Sequence, residues 1–424
     1  MNLTIQPTSK LSGAVTVPGD KSISHRSAIF GAIAHGTTRI ENFLRAGDTK
    51  GTLAVLKQLG AQIEDDGEVI TVTGGQLKLE GQTLDCGNSG TTMRLMMGVL
   101  AGCEGTCTLV GDGSLSRRPM DRVRIPLGQM GADITGEGEK NTPPITLKGG
   151  NLNAIEYASP VASAQVKSAI LLAGLKANGT TAVTEPSLSR DHTEQMLRGF
   201  GIEVKRDGLR VEVQPGELTA TDVRVPGDVS SAAFFWCAAA LRPGWSARVN
   251  GVGLNPTRTG VLDVLAAMGA RIEIENQTES GGELRGDVTV TGAQLNATRI
   301  DGDLIPRLID ELPVLSLVAS QAQGQTVIAD AHELRVKESD RIAIISAELR
   351  KLGATIEEKE DGMIVSGPTP LTGTTVTSPH GDHRIAMTLM VAGLIASGET
   401  TVENADAVVS SFPNFPTLLD ELRS

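Results

Sequence analysis

Apolar and polar positions along this chain fall into a repeating order. One signature is a leucine-rich amphipathic segment that runs into a glycine and then a β-branched stretch: TLAVLKQLGAQI (52–63), RIPLGQMGADI (124–134), TEQMLRGFGIEV (193–204), VLDVLAAMGARI (261–272) and IISAELRKLGATI (344–356). The spacing predicts a helix, a glycine stop and a strand each time. FPTLLDELRS (415–424) reads as a sixth copy cut short. A second signature is apolar nearly all round: SHRSAIFGAIAHG, TTMRLMMGVLAGCEG, SAQVKSAILLAGLKANG, SSAAFFWCAAALRPG, LPVLSLVASQAQG and HRIAMTLMVAGLIASG. Such segments predict buried helices. Their closing glycines, Gly36, Gly105, Gly179, Gly244, Gly324 and Gly398, lie 65 to 80 residues apart.

Six units of about 70 residues therefore fill the 424-residue chain,. Units of that size, mixing helices and strands, predict βαβ-type elements grouped into α/β domains, with two domains of three units the simplest grouping. Composition fits. There are 49 glycines and only ten aromatics (seven Phe, two Trp, one Tyr), so the core must be aliphatic and helices of small residues can pack closely. The longest apolar run, Ala232 to Leu241, is far short of the ~18 residues of a membrane span,. The opening MNLTIQPTSK has no apolar stretch of the signal-peptide kind, and the four cysteines (Cys86, Cys103, Cys107, Cys237) read as reduced, buried thiols; both point to a cytoplasmic protein,. A net charge of −12 argues against nucleic acid as a partner,.

The candidate chemistry lies where the buried helices begin. Gly, Ser, Asn and Asp there are ordinary helix caps, but free N–H groups at a helix start also bind anions. Lys21, Arg26 and Arg384 add full charge at such ends, and connecting segments carry Arg117, Arg118, Arg190, Arg335, Lys337 and Arg341, with Glu338 beside Lys337. An acidic protein that gathers cations at Gly/Ser-rich turns predicts a local pocket for a small phosphate or carboxylate. Singly, each residue has a plainer reading: Asp310 and Glu311 as acids on a helix start, His383 as a cap, Lys167 and Arg94 as snorkelling or structurally paired cations inside apolar helices. GDKSISHR is no Walker loop, since the GxxxxGK spacing is missing.

Together, GDKSISHR, NSGTTMRL, SRRPM, SAQVKSAILLAGL, SRDHTEQML, PGDVSSAAFF, IDELPVLSLVA, ELRVKESDRI, GDHRIAM and SFPNF resemble the 5-enolpyruvylshikimate-3-phosphate synthase family, in the family's order from about Leu11 to Phe415. ELRVKES, SAQ and SRDHTE are more similar to its bacterial class II members than to the enteric class I form. The resemblance implies transfer of the enolpyruvyl group of phosphoenolpyruvate to the 5-hydroxyl of shikimate 3-phosphate, with release of phosphate, in the shikimate pathway. It implies a fold of six βαβαββ units, three per domain, with sheets around buried parallel helices. The domains would be 1–19 with 227–424, and 20–226, with the active site in the cleft between them.

By the same resemblance, Lys21 touches both substrates. Ser22, Arg26, Ser163, Ala164, Gln165, Arg190, Asp310 and Lys337 hold shikimate 3-phosphate, and Gly90, Arg118, Gln165, Arg341 and Arg384 hold phosphoenolpyruvate. Asp310 takes the proton of the 5-hydroxyl, and Glu338 donates one to the methylene carbon with His383 nearby. No metal and no organic cofactor is implied, and the family expectation is a monomer. Gly90 implies room for glyphosate. The sequence departs from the enteric pattern at Ser410 and Ser411, where that form carries a substrate-contacting Lys. Two alternatives share the scaffold. The sister transferase acting on UDP-N-acetylglucosamine typically has a Cys in the loop that here reads GDGSLSRRPM. A non-catalytic anion-binding protein would lack the acid–base pair.

Overall fold

A computed structural model describes residues 1–423, apart from the side chains of His380, Val409 and Ser410. The six apolar segments form buried helices: Lys21–Ile33, Gly90–Ala101, Ala164–Gly174, Val229–Ala240, Leu312–Ala319 and His383–Gly393, here called the first to sixth. All eight residues of the fifth are buried. The leucine-rich segments form a second set, Gly47–Gln58, Asp121–Gln129, His192–Gly199, Gly260–Ala267, Arg341–Lys351 and Phe415–Glu421. The first five each lead through a glycine into a strand. At Gly60 and Gly353 that stop needs φ of +98° and +104°, which only glycine adopts without strain,.

The chain divides into two compact units. One comprises Met1–Pro18, Gly227–Thr278 and Arg285–Ser424; the other comprises Gly19–Pro226 and Glu279–Leu284. Each has its own hydrophobic core.

In the Gly19–Pro226 unit, each of three four-stranded sheets has one plan. The strand after a buried helix is central. It pairs in parallel with a short edge strand and antiparallel with the inner arm of a hairpin. Thr181–Thr184 thus lies between Glu156–Ala158 (parallel) and Arg210–Val213 (antiparallel). Val69–Thr73 alternates buried and half-buried positions, as expected when one sheet face covers helices,. The edge strand for Thr37–Glu41 comes from the far end of the unit, Val223–Arg224, so the unit closes on itself. Packing of the second helix on the third is close enough that a Cβ on Gly98 would lie 2.3 Å from the Ala169 carbonyl oxygen. Small residues are a steric requirement there.

In the other unit two sheets follow the same plan and the third has three strands: Thr375–Thr377, Thr400–Glu403 and Leu3–Ile5. The repeat cut short at the C-terminal end is completed by the N-terminal strand, which pairs antiparallel with Thr400–Glu403. Four of the ten aromatics, Phe234, Phe235, Phe412 and Phe415, meet in this core with ring centroids 5.3 to 6.1 Å apart. Cys86, Cys107 and Cys237 are buried and Cys103 is half-buried, all unpaired. Burial raises the thiol pKa of each, Cys86 to about 12 and Cys107 to about 11, so they are inert,.

Candidate active site

Side chains cap five of the six buried helices. Asp20, Ser89, Ser163, Asp228 and Asp382 each accept a first-turn N–H. The helix starts have therefore spent part of their anion-binding capacity, and three caps are themselves acidic. Positive field at these ends comes chiefly from Lys and Arg side chains.

In the Gly19–Pro226 unit those cations form two groups. Lys21, at the start of the first helix, is half-exposed and sits 3.2 Å from Asp48. Arg26, one turn on, is buried: Nε donates to Thr193 Oγ1 (2.7 Å), Nη2 to Ser168 Oγ (2.8 Å) and Nη1 to the Ser22 carbonyl (3.0 Å). Burial is the largest influence on Arg26 and lowers it to about 10; Glu194 opposes this, and the like charge of Arg190 adds to it.

The second group surrounds the start of the second helix. Arg118 reaches Asn88 Oδ1 (2.7 Å) and Ser114 Oγ (3.2 Å). Arg94 donates to Gln165 Oε1 (2.7 Å), while Gln165 Nε2 donates to Thr91 Oγ1 (3.0 Å). A Cβ on Gly90 would lie 2.9 Å from Arg94 Nη1 and 3.4 Å from Arg118 Nη1, so Gly90 fronts both guanidiniums. Arg94 is half-buried and, among the described residues, pairs with no acid. Burial and then the like charges of Arg118 and Arg122 lower it to about 10. A cation held among cations is an anion site in waiting. The sequence signal was present, an Arg one turn inside an apolar helix, but its neighbours were not. Lys167, by contrast, is a structural pair, bound to Glu185 and Glu194.

The other unit gathers Asp310, Lys337, Glu338, Arg341, His383 and Arg384. Its hub is Arg341, which begins the helix Arg341–Lys351 and is fully buried. Its guanidinium meets three carboxylates: Asp382 (Nε to Oδ2, 2.8 Å), Glu338 (Nη2 to Oε2, 2.7 Å) and Asp310 (Nη1 to Oδ1, 3.5 Å). Lys337 Nζ is 3.9 Å from Asp310, and Arg384 Nη1 donates to the Asp310 carbonyl (3.2 Å). Arg384 also approaches buried Glu311 (3.7 Å), which is further bound by Ser230 and Arg258.

Burial is the largest influence on Glu338 and Asp382 and would raise both, but the charge of Arg341 together with the hydrogen bonds and other cations around them outweighs it, and both carboxyls are lowered. His383 is lowered to about 4, first by burial and then by Arg384 and Arg341, so its imidazole is neutral near pH 7. The ligand-like residues of this group stand out in the sequence, whereas their anchors do not. From sequence Asp382 is an ordinary helix cap; in the fold it also accepts from Ser339 Oγ (2.8 Å) and Arg341.

Among the described residues no group of three or more His, Cys, Asp or Glu is arranged to hold a metal. No helix there is long and apolar enough to cross a membrane. The Ser410 side chain lies outside the described residues; neighbouring Ser411 donates to the Ala407 carbonyl (3.1 Å).

A repeat fold with clustered cations in one unit and a carboxylate–guanidinium hub in the other is the build of an enzyme for small anionic substrates. The family model for EPSP synthase (3-phosphoshikimate 1-carboxyvinyltransferase) matches residues 5–419. Relatives named 3-phosphoshikimate 1-carboxyvinyltransferase from Bacillus thuringiensis subsp. konkukian (strain 97-27) and Bacillus cereus (strain ATCC 10987 / NRS 248) are each 54% identical over 426 residues, covering 99% of both chains. A structure of EPSP synthase from Acinetobacter baumannii superposes with a TM-score of 0.93 at 44% identity, over 99% of this chain and 98% of that one. The enolpyruvyl transferase NikO from Streptomyces tendae has a TM-score of 0.78 at 21% identity over 99% and 97%, a likeness of fold alone. The chain belongs to the EPSP synthase family and is a 3-phosphoshikimate 1-carboxyvinyltransferase of the shikimate pathway.

Proposed function

We propose that the two groups of residues act on one pair of substrates, each supplying a different part of the chemistry. Lys21, Ser22, Arg26, Ser163, Ala164, Gln165, Arg190 and Lys337 hold shikimate 3-phosphate. Gly90, Arg118, Gln165, Arg341 and Arg384 hold phosphoenolpyruvate, with Arg94 added to that set. Asp310 and Glu338 are the base and the acid.

The single observation that carries this reading is that Asp310 and Glu338 share one buried guanidinium, that of Arg341, at 3.5 and 2.7 Å. They do so in unlike settings, with side chains 15% and 54% exposed. A base and an acid in one reaction need such different environments. Asp310 takes the proton of the 5-hydroxyl as its oxygen bonds to C2 of phosphoenolpyruvate, and a proton is added at the methylene carbon. The tetrahedral adduct then loses a proton from the new methyl group as the C–O bond to phosphate breaks, giving the enolpyruvyl ether and phosphate.

Before substrate arrives, Arg341 and Arg384 keep Glu338 ionised, which is wrong for an acid. The charge of bound phosphoenolpyruvate beside those two cations offsets them and moves Glu338 toward protonation. The substrate thus helps prepare its own proton donor. His383, neutral near pH 7, serves as a hydrogen-bonding neighbour rather than as a cation.

The test is phosphate release from phosphoenolpyruvate with shikimate 3-phosphate, run beside UDP-N-acetylglucosamine as acceptor. Asp310→Ala and Glu338→Ala each lower kcat by about 10²-fold or more, as befits acid–base groups. Near-normal turnover in either variant removes that residue from its role, and no turnover with shikimate 3-phosphate overturns the reading.

A further inference from the structure

A buried ionic group in the Gly19–Pro226 unit lies outside the chemistry above. Lys167, on the third helix, is 1% exposed, Glu185 3% and Glu194 1%. Glu185 follows the strand Thr181–Thr184 and uses both carboxylate oxygens. Oε2 accepts from Lys167 Nζ (2.7 Å) and Oε1 from the backbone N–H of Ser163 (3.1 Å), the cap of that helix. Glu194 approaches the same ammonium at 2.8 Å, as an ion pair rather than an aligned hydrogen bond. The neighbours of Lys167 and Glu194 form a second rung. Ser168 and Thr193 hydroxyls are 2.6 Å apart, and Arg26 donates to both.

Charges buried this deeply cost several kcal/mol each to desolvate, and well-packed apolar side chains would commonly stabilise a helix pair as well or better. Packing alone therefore gives little reason for the trio. Its arms end on two residues that face substrate in the reading above: the Ser163 backbone directly, and Arg26 through the Ser168–Thr193 rung.

We propose that Glu185 and Lys167 are positioning residues for the phosphorylated acceptor. Glu185, held by Lys167, fixes the first turn of the third helix so that Ser163 is preset, and the ion pair with Glu194 fixes the hydroxyl rung that aims Arg26. This rests on the reading that Ser163 and Arg26 bind shikimate 3-phosphate.

The experiment is steady-state kinetics with each substrate varied in turn, alongside thermal unfolding, for Glu185→Leu and Glu185→Gln. Leucine removes the acceptor for the Ser163 N–H, so KM for shikimate 3-phosphate rises about tenfold, the size expected for one lost buried hydrogen bond, with KM for phosphoenolpyruvate little changed. Glutamine keeps an acceptor oxygen and restores most of the affinity. A lowered Tm with both KM values unchanged, or both raised alike, overturns the proposal. If the leucine variant does not fold, Lys167→Met/Glu194→Gln replaces the ion pair with neutral groups of similar size, and the same selective rise is expected. An unchanged KM for shikimate 3-phosphate in that variant overturns the proposal. Ser163→Ala separates the two layers. If it leaves KM unchanged, the substrate reading of Ser163 fails; if it raises KM while Glu185→Leu does not, only the positioning role fails.

Discussion

Replacing Asp382 by Asn tests whether the Arg341 hub is held from behind. Asp382 is 0% exposed and accepts on both oxygens. Oδ2 takes Arg341 Nε and Ser339 Oγ, each at 2.8 Å; Oδ1 takes the Arg384 N–H at 3.1 Å and Arg341 Nη2 at 3.3 Å. Asparagine is nearly the same size but accepts on one side only. With its oxygen kept on the helix N–H, its NH₂ faces the Arg341 donor; flipped, it abandons the helix cap. Breaking a buried ion pair costs about 3–5 kcal/mol. Arg341 keeps Glu338 and Asp310, so the lower end, about 3 kcal/mol, is the expected loss. For a cooperative unit of about 200 residues that is a Tm decrease of roughly 6–12 °C. Scanning calorimetry measures it, with Asp340→Asn as the comparison. Asp340 caps the same helix as Arg341 and pairs with Arg335 at 2.9 Å, but its side chain is 39% exposed, so its loss is worth about 1 kcal/mol or less,. An Asp382→Asn melt no lower than that of Asp340→Asn would refute the reasoning.

Gly90→Ala places a methyl group 2.9 Å from Arg94 Nη1. Glyphosate is expected to inhibit the unaltered protein in competition with phosphoenolpyruvate, and the variant to need about tenfold more of it, the discrimination one methyl group commonly gives. Full activity of the unaltered protein at millimolar glyphosate, or identical inhibition curves for the two, contradicts this. His25 is wholly buried, its Nδ1 is 2.7 Å from Thr52 Oγ1, and burial, then Lys21, lowers its pKa from 6.5 to about 3. In the unfolded chain the ring takes up a proton below pH 6.5, and in the folded chain not until about pH 3. Its contribution is therefore intact above pH 6.5 and lost as pH falls, by about 2 kcal/mol at pH 5. Urea midpoints at pH 7 and pH 5 are expected to differ less in His25→Gln than in the unaltered protein; an equal difference rejects the assignment.

Sequence alone made the repeated elements legible, because they depend on periodicity. Twelve helices were legible, and for eleven of them the glycine stop and the strand after it, since a 3.6-residue pattern and a left-handed stop are local properties of the chain. The candidate anion-binding residues were legible for a related reason: Lys21, Arg118 and Arg384 sit in short polar motifs at helix starts or turns. Their supports were not. Asp382 reads as a cap, and nothing local links it to Arg341, 41 residues earlier. Arg94 reads as a stray cation until Gln165, 71 residues on, meets it. The truncated sixth repeat looked incomplete because its missing strand, Leu3–Ile5, lies at the other end of the chain. What tertiary structure alone decided was which charges meet. That choice fixes the low carboxyl of Glu338, the neutral His383 and the three acids on one guanidinium, because Coulomb energies depend on separations in space that sequence distance does not encode.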